Sequence, residues 1–167
     1  MTLATHIAIA GAVSKPLIAG GLGPIGLFLI SAGTHYLADT IPHYDYKLRY
    51  FVDEKEGEVA PPFHFFDFLI RDVGKVAGDA LFGTVLLFLI TKTPVTLSSL
   101  LLWSPVIIGA TLPDLLQALR WVVPGVILNE IQKVQDFVHA RKLSWSVSAV
   151  FSQALILILT LTLIKIL

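Results

Sequence analysis

His35 and Asp39 stand four residues apart, inside a run that is otherwise almost wholly apolar. That spacing puts an imidazole and a carboxylate on one face of a helix. Pro42 has no backbone donor and discourages helix at the residue before it, so the helix is expected to end near Ile41, with His43 and Asp45 just beyond. His6, Asp79 and Asp114 also sit in apolar stretches. Ionisable groups in a bilayer cost several kcal/mol unless they are paired, hydrated or metal-bound, so each is a functional candidate. The chain has no cysteine. Imidazole and carboxylate without thiolate form a donor set for Zn²⁺ first, with Mn²⁺ or Fe²⁺ as alternatives.

The expected ligands are His35 and Asp39, then His6 and Asp79; His43, Asp45 and Asp114 are expected to do proton chemistry. Other roles stay open for several of them. His6 would also suit a hydrogen bond to a backbone carbonyl, Asp79 and Asp114 could orient an imidazole rather than bind the ion, and His43 and Asp45 could be ligands or part of an interfacial turn. The whole set could also be a polar cluster that holds helices together.

The elements that must position these groups are membrane helices. Of 167 residues, 55% are hydrophobic and only 14% charged, with a mean hydropathy of +0.79. A soluble domain carries about 25% charged residues. The chain reads as a single integral membrane domain, residues 1–167, of the all-α class: a polytopic bundle of about five transmembrane helices plus one or two interfacial amphipathic helices. The apolar stretches run roughly Leu3–Gly20, Pro24–Ile41, Val76–Thr91, Val95–Leu119 and Trp145–Leu167. None alternates with period two, which argues against a β-barrel. Pro24 and Pro94 are expected to open the second and fourth helices. The first stretch carries Lys15 and lacks a basic leader, so it reads as a retained helix rather than a signal peptide.

Two connections are long, about 42–75 and 120–144. The first holds, between Asp45 and Lys75, 12 of the 24 charged residues; the aromatic segment Phe63–Phe68, with His64, is expected to lie on the membrane. The second holds an amphipathic helix with Ile127, Leu128, Ile131, Val134 and Val138 on one side and Glu130, Lys133, Asp136 and Arg141 on the other. Trp121, Trp145, Tyr44, Tyr46 and Tyr50 would form an interfacial belt. With five crossings, nine basic residues (Lys47, Arg49, Lys55, Arg71, Lys75, Arg120, Lys133, Arg141 and Lys142) share one side, against Lys15, Lys92 and Lys165 on the other. The positive-inside rule then puts the N-terminus in the cytoplasm and the C-terminus outside. His6, His35, Asp39, Asp79 and Asp114 all fall toward the cytoplasmic end. The 37 positions from His6 to His43 and the 35 from Asp79 to Asp114 suggest two helical hairpins around one site.

Thr5-His6, His35-Tyr36-Leu37-Ala38-Asp39 and Gly109-Ala110-Thr111-Leu112-Pro113-Asp114 resemble motifs of the small bacterial inner-membrane proteins known as membrane-bound metal-dependent hydrolases. The resemblance covers most of the chain and implies a bacterial inner-membrane location and metal-dependent hydrolysis. The chain departs from that pattern in having Pro42-His43-Tyr44-Asp45 after the His/Asp helix and no clear downstream His-Ser pair.

The expected function is hydrolysis at the cytoplasmic membrane face, of a phospholipid or another amphiphilic phosphoester. Arg120, Arg141 and Lys142 are candidate headgroup contacts. The competing functions are a metal- or proton-handling transporter and a non-catalytic scaffold with a structural metal. Twelve basic and twelve acidic residues give no net charge to draw in nucleic acid. Gly21-Leu22-Gly23-Pro24-Ile25-Gly26 fits a dinucleotide-binding spacing but follows a helix and loses a donor at Pro24, so it reads as a turn. The acidic run Asp53–Glu58 and His139 read as solvated.

Overall fold

The computed structural model describes residues 1–43, 48–50, 61–123, 125–138 and 147–166. Six helices form among them: α1 (Leu3–Ala19), α2 (Pro24–Asp39), α3 (Phe65–Thr91), α4 (Leu97–Val122), α5 (Val126–Val138) and α6 (Val147–Ile166). The described residues contain no strand. α3 and the segment Leu97–Arg120 of α4 are each long and apolar enough to cross a membrane. α1 is a shorter apolar helix, and α6 contains the apolar run Phe151–Thr160.

Local chemistry sets the helix ends. Gly21 takes a left-handed φ of +81° in the turn after α1, and Pro24 opens α2 behind Gly23. α2 stops at Asp39, two residues before Ile41 and three before Pro42. α3 closes on Lys92, itself left-handed at φ 56°, with the Lys92 and Thr93 amides returning to Leu89 and Phe88 carbonyls.

Two boundaries differ from those the sequence suggests. α4 does not open on Pro94; Thr96 caps it through a reciprocal box with Ser99. α3 starts at Phe65, eleven residues before Val76, with one π-helical stretch at Leu69–Val73. Asp67, Arg71, Asp72 and Lys75 interrupt the apolar run but not the helix, since no proline falls between Phe65 and Thr91.

α1 is the hub. It packs against α2, α3, α4 and α6, while α2 packs along α4, and α5 lies on α4 and α2. Small residues allow this closeness: a Cβ added at Gly83 of α3 would sit 2.6 Å from the Ala4 Cα, and one at Gly109 of α4 would overlap the Phe28 carbonyl oxygen. Contacts of Leu3 with Asp79, Ala4 with Gly83 and Gly11 with Leu87 show α1 and α3 running parallel. Ser14 with Ser31 and His6 with Asp39 show α2 antiparallel to α1. The start of α1 and the ends of α2 and α4 therefore meet at one pole.

The distribution of polarity is inverted relative to a soluble protein. Ile7, Leu27, Leu87, Trp103 and Val106 form a buried cluster, but His6, Ser14, Ser31, His35 and Asp39 are equally buried. The outer faces carry Ile25, Leu29 and Leu37 on α2, Leu81, Phe82 and Leu89 on α3, and Leu101, Ile108 and Leu115 on α4. So large an exposed apolar area marks an interaction surface, toward a membrane or toward another protein.

Candidate metal centre

At the pole where α1 starts and α2 ends, Asp39 is the central group. Its Oδ1 lies 3.2 Å from His6 Nε2 and 3.7 Å from His43 Nε2; its Oδ2 lies 3.2 Å from His35 Nε2. The Met1 amino nitrogen is 3.7 Å from the same Oδ1. Asp114 reaches in from α4, with Oδ1 3.6 Å from His35 Nε2. The His6 and His35 rings stack at 3.8 Å between centroids, 17° from parallel. One donor atom from each of His6, His35 and Asp114 lies within 4.8 Å of the others, so this group could hold a metal ion.

These separations fit a coordination shell better than a set of hydrogen bonds. Zn–N and Zn–O bonds of about 2.1 Å in tetrahedral array place ligand atoms about 3.4 Å apart. Charge-assisted N–H···O bonds are shorter, about 2.7–2.9 Å. The donor separations here are 3.2–3.7 Å. His6 Nδ1 is buried and makes no hydrogen bond, and among the described residues the only polar groups beside the buried Nε2 atoms of His6 and His35 are the carboxylates at 3.2–3.6 Å, an arrangement that a cation among them would satisfy.

Two imidazoles have their tautomers set. His35 Nδ1 lies 2.7 Å from the Ala110 carbonyl, and His43 Nδ1 lies 2.6 Å from the Ile41 carbonyl. A carbonyl only accepts, so each Nδ1 carries the proton and each Nε2 turns inward. A metal-binding histidine characteristically donates its second nitrogen to a carbonyl or carboxylate in this way. His6 does not bond a carbonyl; its ring lies against His35.

The structure separates the candidates. His6, His35, Asp39, His43 and Asp114 come together, with His43 Nε2 turned toward Asp39. Asp79 takes another position: its Oδ2 accepts the Leu3 amide at 2.7 Å, capping the first turn of α1 from the neighbouring helix. Arg120 is not at the centre either; its Nε donates to Asn129 Oδ1 of α5 at 2.7 Å. Asp45, Arg141 and Lys142 lie outside the described residues, as do Lys47, Lys55, His139, Tyr44, Tyr46, Trp145 and the run Asp53–Glu58.

The sequence reading missed two features. The Ala110 carbonyl could not be singled out, because a backbone acceptor has no side-chain signature. Asp72, fully buried, accepts the amides of Arg49 and Tyr50 at 2.8 and 2.7 Å, while Asp67 takes the Arg49 guanidinium at 2.7 Å and the Tyr50 hydroxyl at 3.1 Å. Together they pin Arg49 and Tyr50 onto the start of α3. The run Asp67, Arg71, Asp72 at helical spacing was its available signal.

Comparison of the chain with protein-family models, with curated proteins and with solved structures finds no match.

Proposed function

We propose that this chain is an integral membrane, metal-dependent hydrolase whose centre lies at the cytoplasmic face of a bacterial inner membrane. The reading takes α1, α2, α3, α4 and α6 as five crossings, with α5 in the interfacial plane. α5 supports that placement: Ile127 and Val134 are exposed on the side that also carries Leu128 and Ile131, while Asn129, Glu130, Lys133 and Asp136 are exposed on the polar side. Arg49, Arg71, Lys75, Arg120 and Lys133 belong to the pole of the centre, and Lys15 and Lys92 lie toward the other. That asymmetry supports a cytoplasmic N-terminus.

The observation that carries the metal reading is the convergence of His6, His35, Asp39 and Asp114 at ligand-to-ligand separations of 3.2–3.6 Å. His6, His35 and Asp39 would hold one divalent ion, zinc on donor chemistry, with His43 completing the set. A bound ion would polarise the ester and lower the pKa of a water molecule. The side chains of His6, His35, Asp39 and His43 are at most 2% exposed, so they exclude bulk water. Asp114, 35% exposed, is the carboxylate placed to accept a proton from an incoming water and return it to the leaving oxygen.

Metal analysis of the detergent-purified protein tests this. The wild type is expected to retain about one ion per chain, and His35→Ala and Asp39→Ala to lose it. Ion retained at wild-type level in both variants would end the reading. Ion bound with no turnover on phosphoesters, carboxylic esters or phospholipids favours the structural-metal alternative, which the sealing of four of the five donors also suits.

A further inference from the structure

Beyond the metal centre, we infer that the cleft between the end of α4 and α5 binds a zwitterionic phosphodiester whose head carries an N–H-donating ammonium group, as an ethanolamine phospholipid does. The cleft has a volume of about 390 Å³, and its polar lining is Arg120 from α4 with Asn129, Glu130, Gln132, Lys133 and Asp136 from α5. A small polar head fits that volume. Gln135 Nε2, donating to Gln117 Oε1 at 3.3 Å, ties the two helices together. Arg120 is six residues beyond Asp114, about 9 Å along the helix at 1.5 Å per residue. A phosphate on Arg120 is therefore held apart from the metal donors, and is bound there rather than cleaved.

Arg120 supplies the anion contact. Its Nε–H donates to Asn129 Oδ1 at 2.7 Å, which fixes the plane of the guanidinium. Its two Nη groups meet no acceptor among the described residues. A guanidinium held this way presents its fork to two phosphate oxygens. The other cation, Lys133, is already engaged, 2.6 Å from Glu130. One open guanidinium matches the single charge of a phosphodiester better than the double charge of a phosphate monoester.

Gln132 supplies the demand for a donor. The residue is 8% exposed, and its Nε2 donates to Asp136 Oδ1 at 2.8 Å. A carboxylate only accepts, so the orientation of the amide is set and Oε1 turns the other way. That oxygen is buried and has no hydrogen-bond partner. A buried carbonyl without a donor is costly, and a ligand N–H in the cleft would satisfy it. With Asp136 alongside, an ammonium group offers a charge match as well as the hydrogen bond. Arg120 and Lys133 balance Glu130 and Asp136, so the lining suits a ligand that is itself neutral overall. A lipid headgroup and a soluble glycerophosphodiester share this chemistry. With α5 in the interfacial plane, the cleft lies at headgroup level, which favours the lipid.

The test is native mass spectrometry of the full chain, released from phosphate-free detergent micelles that contain equal amounts of phosphatidylethanolamine and phosphatidylcholine with identical acyl chains. The two heads carry the same charges, but only ethanolamine has N–H donors. The wild type is expected to retain phosphatidylethanolamine about tenfold over phosphatidylcholine, the worth of one hydrogen bond to a charged group. Gln132→Leu should erase that preference while retention of phosphatidylcholine holds, which also shows the variant to be folded. Arg120→Gln should lower retention of both lipids about tenfold. Lys92→Gln, which removes an exposed cation at the opposite pole, should change neither. Displacement of the lipid by an equal concentration of soluble glycerophosphoethanolamine would assign the cleft to soluble phosphodiesters; displacement by short-chain phosphatidylethanolamine alone would assign it to the headgroup. Equal retention of the two lipids by the wild type, a preference that survives Gln132→Leu, or undiminished retention in Arg120→Gln would overturn the inference and leave the hydrolase reading standing. If Arg120→Gln does not fold, the Gln132→Leu arm decides alone.

Discussion

The Nδ1–H of His35 points at the carbonyl of Ala110, 2.7 Å away across the α2–α4 contact. One hydrogen bond thus fixes the ring's rotation, its tautomer and the inward direction of Nε2. It also ties the register of α2 against α4 to the geometry of the centre. His35→Gln separates these functions: the amide can still donate to Ala110, but no nitrogen lone pair faces Asp39. The variant should fold, with a melting temperature close to wild type in detergent, and its metal content should fall below a tenth of an ion per chain.

Asp79 stands apart from the donors in its role, although the sequence grouped it with them. Its carboxylate holds the Leu3 amide, one of the donors that the first turn of α1 cannot satisfy internally. Asp79→Asn keeps an oxygen acceptor and should leave metal content unchanged. Asp79→Leu removes it and should cost about 2 kcal/mol, seen as faster amide exchange across the first turn of α1. Loss of metal in Asp79→Asn would show that the carboxylate is a ligand after all.

The Gly109 contact predicts a different failure. A methyl group there would meet the Phe28 carbonyl oxygen and Ser31 Cβ, backbone and near-backbone atoms with little room to yield. Gly109→Ala should therefore push α4 from α2, cost about 1–3 kcal/mol and weaken metal binding, because His35 and Asp114 sit on the two separated helices. Gly33→Ala, at an outward position with nothing within 4 Å, should raise stability by up to about 1 kcal/mol and leave the metal in place. Equal effects on unfolding from the two variants would refute the close-packing account.

How much of this could be read beforehand follows from what each feature depends on. The apolar stretches were legible as helices because they are long, lack period-two alternation and break at Gly and Pro turns. His6, His35, Asp39 and Asp114 stood out because an ionisable group inside such a stretch needs a compensating partner. Hydropathy failed at the start of α3, since it marks where the apolar run begins and not where the helix begins; Asp67 to Lys75 form polar turns of the same helix. The role of Asp79 was hidden because it depends on α1 and α3 running parallel, which no local pattern encodes. The burial of His43 among the donors was hidden likewise, since it depends on how the chain turns after Pro42.

Asp72 makes a prediction about the long connection. With no side-chain exposure, it binds the amides of Arg49 and Tyr50 through both oxygens. Two charge-assisted bonds contribute about 3 kcal/mol together. Asp72→Ala should speed exchange of the Arg49 and Tyr50 amides by about 100-fold and expose the Arg49 peptide bond to trypsin, with the α1–α2 pair unaffected. Unchanged protection at those two amides would mean that the carboxylate does not anchor the segment.

The absence of cysteine makes orientation directly measurable, because a single introduced thiol is the only reactive one. Lys92 lies exposed in the turn between α3 and α4, and Lys133 projects from α5 just beyond the other end of α4. If α4 crosses the bilayer, these two positions are on opposite sides. With the polar pole cytoplasmic, a membrane-impermeant maleimide should label Lys92→Cys in intact spheroplasts and Lys133→Cys only after lysis or in inverted vesicles. The reverse pattern would place the centre at the outer leaflet and remove the positive-inside argument for its location. Labelling of both positions from one side would show that α4 does not span, and the membrane bundle would have to be redrawn around α3.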